Sequence, residues 1–337
     1  MRILRYNELK EKILFGKKRD ISPFVNKIID EVRKYGDEAV RRYTLKFDGV
    51  DIKKFRITQK ELENAYKSMD CALVNSIRRA KENIEKFCRC QLRQLSNFKV
   101  EIAPGVIAEQ RIIPINRIGI YVPGGRFPLV STVLMCGVPA RIAKVKEIAL
   151  CSPPGHNNTI HPVILGTAKL LGIKEIYKIG GIQAIASLAY GTETIRPVDK
   201  IFGPGNIYVT TAKKIVFGDV GIDFIAGPTE ILIIGDNSAE AEIIAADLLA
   251  QAEHDTNAIP VLITDSPKLG LKVKEEIKRQ IVHLKTKEIA EKSIKKNGMI
   301  ILVKNLDEAI DIANKKAPEH LELQVKNPKK FISRILR

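Results

Sequence analysis

The stretch Ile118-Gly119-Ile120-Tyr121-Val122-Pro123-Gly124-Gly125 decides how the chain is read. It is a short apolar run rich in β-branched residues, and it stops at a Pro-Gly-Gly turn. The segment Val130 to Ala143 then reads as helix, and Glu147 to Cys151 as a second strand ending at Pro153-Pro154-Gly155. The same rhythm continues through strands Glu175 to Ile179, Lys200 to Phe202, Glu230 to Ile234, Ile259 to Thr264 and Met299 to Val303. Helices are predicted at His161 to Leu171, Ala184 to Tyr190, Asn206 to Phe217, Ala239 to Ala252, Leu271 to His283 and Leu306 to Lys315. Alternating strands and helices mean parallel sheets joined by crossover helices.

Upstream of this pattern, the first hundred residues read as helical. Ser22-Pro23 predicts a helix start, with the helix running to about Tyr35. Thr58 and Glu61 form a capping-box pattern, and one long helix to about Gln94 is expected behind it. Glycine-bearing turns follow the strands at 123–125, 153–155, 180–181, 203–205 and 227–228. Open parallel sheets bind ligands at the carboxyl ends of their strands, so the five turns predict one shared crevice.

Composition narrows the class. Of 337 residues, 45% are hydrophobic and 28% charged, which excludes wholesale disorder and collagen-like or low-complexity chains. No stretch approaches the roughly 18 unbroken apolar residues of a membrane span, and the charged N-terminus has no signal-peptide pattern. A cytoplasmic protein is expected. Lys and Arg number 56 against 39 Asp and Glu, a net charge of +17. The basic residues are scattered among acids and not interleaved with stacking aromatics, so the charge is read as a solvated surface and no nucleic-acid partner is expected. The cysteines 71, 88, 90, 136 and 151 are odd in number and are read as small apolar residues without a disulfide framework.

Two constellations carry chemistry. Gln251 and His254 are three apart at the end of a predicted helix, so both can face one point. They offer a carbonyl oxygen and an imidazole to a metal, or form a polar helix terminus with His at the negative end of the dipole. Two ligands are fewer than the three protein ligands of a catalytic zinc. Glu319 and His320 stand after Pro318 and could share proton transfers, or lie in an ordinary charged loop. His156 and His161 are read as a solvated loop. Gly203-Pro204-Gly205-Asn206 is half of a dinucleotide fingerprint, a strand end that opens a helix. The C-terminal segment from Asn327-Pro328 reads as a helix whose apolar residues Phe331, Ile332, Ile335 and Leu336 require a partner surface.

Taken together, these segments resemble the histidinol dehydrogenase family. The carriers are residues 117–125, 180–186, 198–206, 226–230, Gln251-Ala252-Glu253-His254 and Ala317-Pro318-Glu319-His320-Leu321, in the family's order and across essentially the whole chain. The resemblance implies an oxidoreductase that converts L-histidinol to L-histidine in two hydride transfers, the last step of histidine biosynthesis, with NAD and Zn2+ as cofactors. It implies NAD contacts from Tyr121, Gln183 and Asn206, and a substrate contact from Thr229, where the family usually has Ser. It implies zinc and substrate contacts from Gln251 and His254, and proton transfer by Glu319 and His320, with His320 also against substrate.

The implied fold has two Rossmann-like parallel-sheet domains, one inserted in the other, with a helical N-terminal region. Residues 1–120 and 229–337 form the outer domain, and 121–228 the inserted, NAD-contacting one. Family members are homodimers and continue well past residue 337, with two more zinc ligands and a domain exchanged between subunits. The chain is accordingly expected to be a truncated form, weak in zinc binding and in activity on its own. Two readings from other classes stand beside this one: a metal-dependent hydrolase with His320 closing the Gln251/His254 site, and a basic nucleic-acid-binding protein.

Overall fold

The computed structural model describes residues 1–6, 20–124, 128–155, 157–225 and 229–336. The turn residue Gly125, His156 and the Gly227-Pro228 turn lie outside the described residues. By contacts the chain divides into two compact units, Met1–Arg19 with Ala226–Arg337, and Asp20–Ile225. The second is thus an insert in the first. The helical region after residue 20, expected with the outer domain, belongs to the inserted unit.

The inserted unit is built on strands β4 (Arg117–Tyr121), β5 (Glu147–Ser152), β6 (Glu175–Lys178), β7 (Lys200–Phe202) and β8 (Gly221–Ile222). All pair in parallel in the order β6-β5-β4-β7-β8. Counted from its first strand this is 3-2-1-4-5, the doubly wound order, whose switch point lies between β4 and β7. The strands are apolar at nearly every position because helices cover both faces. Helices α4 (Val130–Ile142), α5 (Pro162–Leu170), α6 (Gly181–Tyr190) and α7 (Ile207–Val216) make the crossovers. The expected strands and helices are present, most with bounds shifted by one to three residues.

Ahead of the sheet stand α1 (Ser22–Asp48), α2 (Gln59–Lys67) and α3 (Cys71–Arg93). Helix α1 breaks at Gly36, where φ is 49° and ψ −129°, a conformation open to glycine. A Cβ there would also collide with the Glu193 carboxylate. The chain folds back at this point, bringing Phe24 to 6.3 Å from Phe47. The helix start is held by the Asp20 carboxylate, which accepts from the Ser22 N–H at 2.9 Å, with no side-chain cap at the N-cap position itself.

The long helix expected from Thr58 to Gln94 is two helices. The Thr58–Glu61 capping box is formed, but Ser68 ends α2, and Asp70 caps α3 by accepting from Leu73 N at 3.1 Å. Met69 in the break is buried beside Gly166 of α5. Tertiary packing of one side chain overrides a helical pattern that sequence periodicity could not divide.

An antiparallel pair, β2 (Phe98–Ala103) and β3 (Val106–Gln110), was not expected. Phe98, Val100, Ile102, Val106 and Ile107 on it are all exposed.

The outer unit has a second five-stranded parallel sheet. Strands β1 (Arg2–Arg5), β9 (Glu230–Gly235), β10 (Ile259–Thr264), β11 (Met299–Leu302) and β12 (His320–Gln324) lie in the order β1-β11-β10-β9-β12. β1 and β12 are additions to the expected set. Helices α8 (Ala241–Ala252), α9 (Pro267–Ile281), α10 (Lys287–Lys296) and α11 (Leu306–Lys316) connect the strands. The terminal α12 (Lys329–Ile332) buries Phe331 in the core, while Ile332 and Leu336 remain exposed. Of the cysteines, only Cys88 and Cys151 are buried; Cys71 and Cys90 are exposed, against the expectation of small core residues.

Candidate functional site

In the inserted unit, Tyr121, Gln183 and Asn206 lie along the carboxyl edge of the sheet. Tyr121 is the last residue of β4 and is 4% exposed. Its hydroxyl accepts from the Gly181 N–H at 3.2 Å, and burial pushes its pKa up to about 12. Gln183, in the first turn of α6, is wholly buried, and both its Oε1 and its Nε2 lack a hydrogen-bond partner. An unpaired buried amide costs about 1–3 kcal/mol, so a residue that keeps one is built to meet something else. Asn206 caps α7, its Oδ1 accepting from Tyr208 N and Val209 N at 3.1 Å each.

The glycines between these residues let backbone and ring approach closely. A Cβ on Gly124 would meet Pro153 Cγ at 2.2 Å, and one on Gly180 would meet Pro153 Cβ at 2.5 Å. Gly203, at φ 121°, would place a Cβ 2.0 Å from the Tyr121 carbonyl oxygen. Gly203 is also gripped from both sides: its N–H donates to Asp223 Oδ2 at 2.8 Å, and its carbonyl accepts from Lys213 Nζ at 2.9 Å. Lys213 and Asp223 form a buried ion pair with each other. The helix N-termini of α6 and α7, the glycine turns and the orphaned Gln183 amide fit a dinucleotide, whose phosphates need N–H donors and whose amide or hydroxyls need a polar partner.

The outer unit gathers its residues at the opposite edge. Glu319 precedes β12 and His320 begins it, paired with Ile231 near the start of β9. His320 is therefore a strand residue, not part of a free loop. Thr229 immediately precedes β9, and its carbonyl accepts from Ile259 N at 3.0 Å. Helix α8 runs back from the end of β9, so Gln251 and His254 also finish at the amino edge. The carboxyl edge is occupied by other contacts: Asp236 takes N–H groups from Ser238 and Lys326.

Two rows of polar side chains run toward the candidate couples. Asp247 and Gln251, four apart, share one stripe of α8, and His254 lies in the turn just past its end, its N–H donating to the Gln251 carbonyl at 3.3 Å. His320, Glu322 and Gln324 share one face of β12. The rows meet where Gln324 Nε2 donates to Asp247 Oδ2 and to Glu322 Oε2, both at 3.0 Å. Helix and strand run antiparallel, so from that junction both lead to the amino edge, over roughly 10 Å of helix and 13 Å of strand. His320 on the strand and Gln251 and His254 on the helix side thus all lie toward the amino edge of the same sheet. Burial raises the Glu322 carboxyl above its usual range, with the Asp247 charge adding to it.

Gln251 is 9% exposed with its Nε2 unpartnered, whereas His254 is exposed. His320 is exposed, its Nε2 3.9 Å from Glu319 Oε2. Glu319 is set by Glu230: Glu319 N donates to Glu230 Oε1, and Glu230 N to Glu319 Oε2, each at 3.3 Å. Among the described residues no three His, Cys, Asp or Glu side chains group to hold a metal. Gln251 and His254 supply two donors, and these residues alone do not complete a zinc site.

His161 has an ordinary role: its Nδ1 accepts from Val163 N at 3.3 Å and caps α5. Sequence reasoning missed Lys213, Asp223, Glu230 and Lys316. Lone charged residues in apolar strand and helix ends were the available signal.

The family model described as histidinol dehydrogenase matches residues 15–337. The chain is 46% identical over 331 residues to histidinol dehydrogenase of Methanothermobacter thermautotrophicus, covering 98% of this chain and 77% of that one. It is 47% identical to the Methanocaldococcus jannaschii enzyme of the same name, over 97% of this chain and 76% of that one. The crystal structure of histidinol dehydrogenase from Elizabethkingia anophelis superposes with a TM-score of 0.91 at 39% identity, over 99% of this chain and 78% of that one.

Proposed function

The chain belongs to the histidinol dehydrogenase family, and from that membership we propose that it carries out the NAD-linked oxidation of L-histidinol to L-histidine. The observation that carries the reading is the placement, in a chain matched over nearly its whole length, of both residue couples toward the amino edge of one sheet. A primary alcohol becoming a carboxylate loses four electrons, so two hydrides leave, one water enters, and two NADH form per histidinol.

Tyr121, Gln183 and Asn206 are assigned to NAD, which when bound supplies the hydride acceptor. Gln183 would satisfy its orphaned amide on the cofactor, and Asn206, fixed by its cap on the α7 terminus, would present its amide nitrogen to it. Thr229 offers a hydroxyl to the substrate.

His320 takes the alcohol proton in the first oxidation, a role suited to an exposed imidazole, whose ring nitrogen can accept a proton and later give it up. Glu319, held by Glu230, then removes a proton from the water that adds to the aldehyde, while protonated His320 returns its proton to the carbonyl oxygen and is a base again. The hydrate so formed gives up the second hydride, again with proton loss to His320. Keeping the aldehyde bound prevents its escape to solvent.

Gln251 and His254 are assigned as zinc ligands and as contacts to the substrate's amine and imidazole. A zinc held there would polarise and orient the substrate. The two residues fall short of a full ligand set, and the proton steps above are placed on Glu319 and His320 alone.

The family's homodimeric state is likewise carried over as a proposal. A lone two-stranded pair with apolar side chains on both faces is marginal in water, and a second copy offers cover for β2–β3.

The test follows NADH absorbance with purified protein, NAD, zinc and L-histidinol, and repeats it with the amino aldehyde. Two NADH per histidinol and one per aldehyde are expected. A folded protein that binds neither NADH nor histidinol overturns the assignment.

A further inference from the structure

Among the described residues, three buried side-chain atoms outside Gln183 lack a hydrogen-bond partner, and two of them sit on α1: Thr44 Oγ1 and Asp48 Oδ2. The positions are four apart and share one face of the second half of that helix. None of the proton-transfer or cofactor roles assigned to Tyr121, Gln183, Asn206, Glu319 and His320 uses either.

Contacts along α1 fix where this face ends. At the start of its second half, Asp37 N donates to Glu193 Oε2 at 2.7 Å, and Thr194 Oγ1 donates to the Asp37 carboxylate. Glu193 and Thr194 come just after α6 ends. Helix α1 packs on α6; its second half starts at this junction beside the C-terminal end of α6, so packing back along α6 takes it toward the N-terminal end of that helix. The eleven steps from Asp37 to Asp48 rise roughly 16 Å, which carries Asp48 to the N-terminal end of α6, where Gln183 lies. A second set of contacts agrees. Phe47 neighbours Phe24, and Phe24 lies 6.0 Å from Tyr208 in the first turn of α7, next to Asn206. The Asp48 charge also reaches the Tyr121 hydroxyl, helping to raise its pKa.

Asp48 therefore lies toward the Tyr121–Gln183–Asn206 edge, within electrostatic reach of the Tyr121 hydroxyl, from a part of the chain that precedes the sheet. It is a carboxylate held partly out of water, with one oxygen accepting nothing. Burial pushes its pKa up to about 6. A group in that state needs neutral donors, and a vicinal diol supplies two O–H donors to one carboxylate. In doubly wound dinucleotide sites an acidic residue takes the ribose hydroxyls in this way, and a 2′-phosphate beside it is repelled. The second strand of this sheet supplies no such acid at its end, because β5 finishes in Cys151 and Ser152.

We propose that Asp48, supplied by the folded-back helix α1, accepts the ribose hydroxyls of the dinucleotide and selects the cofactor that lacks a 2′-phosphate. The proposal rests on the dinucleotide reading of the Tyr121–Gln183–Asn206 edge.

The experiment titrates NADH and NADPH, by fluorescence, into wild type, Asp48→Asn and Gln183→Ala, with melting curves to verify folding. Asp48→Asn is isosteric and removes a buried charge. Asp48→Ser reports the same change if Asn perturbs the fold. Asp48→Asn is expected to weaken NADH about tenfold or more while NADPH holds or improves, so the preference narrows. If Gln183→Ala weakens NADH but Asp48→Asn leaves both affinities at wild-type values, the proposal is overturned and the dinucleotide site stands. If neither substitution changes NADH binding, the dinucleotide site itself is misplaced, and the role of Asp48 falls with it.

Discussion

Lys316 and Glu230, 86 residues apart, form an ion pair at 2.5 Å inside the outer unit, with both side chains largely buried. The other oxygen of Glu230 accepts from the backbone of Glu319. The end of α11 is thereby tied to the start of β9. The left-handed Ala317, at φ 48°, turns the chain between the two and delivers Glu319 and His320 to the strand edge.

Lys316→Met should therefore cost more than a surface substitution. It leaves Glu230 charged and unpaired, a loss of roughly 3–5 kcal/mol. Glu230→Gln combined with Lys316→Met should recover a good part of that loss, because the orphaned charge is gone. Urea denaturation of the three proteins checks this. If the double variant is as unstable as the single, the pair is not the cause.

His320→Asn should lower turnover by about a hundredfold to ten-thousandfold while NADH affinity and zinc content stay at wild-type values. His254→Ala should instead lower bound zinc, measured after equilibrium dialysis. Metal loss in the His320 variant would reassign that residue as a ligand and favour the hydrolase-like arrangement.

Gly203→Ala should abolish dinucleotide binding and destabilise the inserted unit by more than about 2 kcal/mol. The new methyl meets the Tyr121 carbonyl oxygen at 2.0 Å, and φ is 121°. A melting curve and an NADH titration read both effects. Wild-type behaviour in either would mean the loop rearranges freely.

The Asp48 carboxyl predicts a pH dependence of stability. Its folded pKa, about 6, lies above the unfolded value of 3.8, because burial disfavours the charged form. The folded state holds the proton more tightly, so this contribution is fully present below pH about 4 and is lost as pH rises through 6. Asp48→Asn should therefore raise the melting temperature at pH 8, and the gain should shrink toward pH 5. Tyr121 is the titratable neighbour, and it stays protonated across that range. A gain that is constant with pH would show that Asp48 is fully solvated.

The alternation of strands and helices from Ile118 onward was readable locally, because apolar strands buried on both faces leave continuous runs closed by glycine and proline. Residues such as Gln251, His254, Glu319 and His320 stood out for their type and spacing. The edge strands β1 and β12 and the β2–β3 pair did not, since their side chains are half-buried or exposed and leave a weak pattern. The division between α2 and α3 was missed because both helices follow closely in one apolar pattern; Asp70, which caps α3, was the local signal, and Met69 is seated beside Gly166 in the break.

What the sequence determined by itself was the alternation of strands and helices from Ile118 onward, the parallel sheets and the family, all of which depend on neighbours within a few residues or on motifs in sequence. What only the tertiary structure decided was which edge each motif reaches, that Lys213 and Asp223 clamp Gly203, and that helix α1 folds back so that Phe24 and Phe47 meet and the Asp48 charge reaches Tyr121. Those outcomes follow from strand order and from a fold-back at Gly36, and no local pattern encodes the direction in which a distant segment returns.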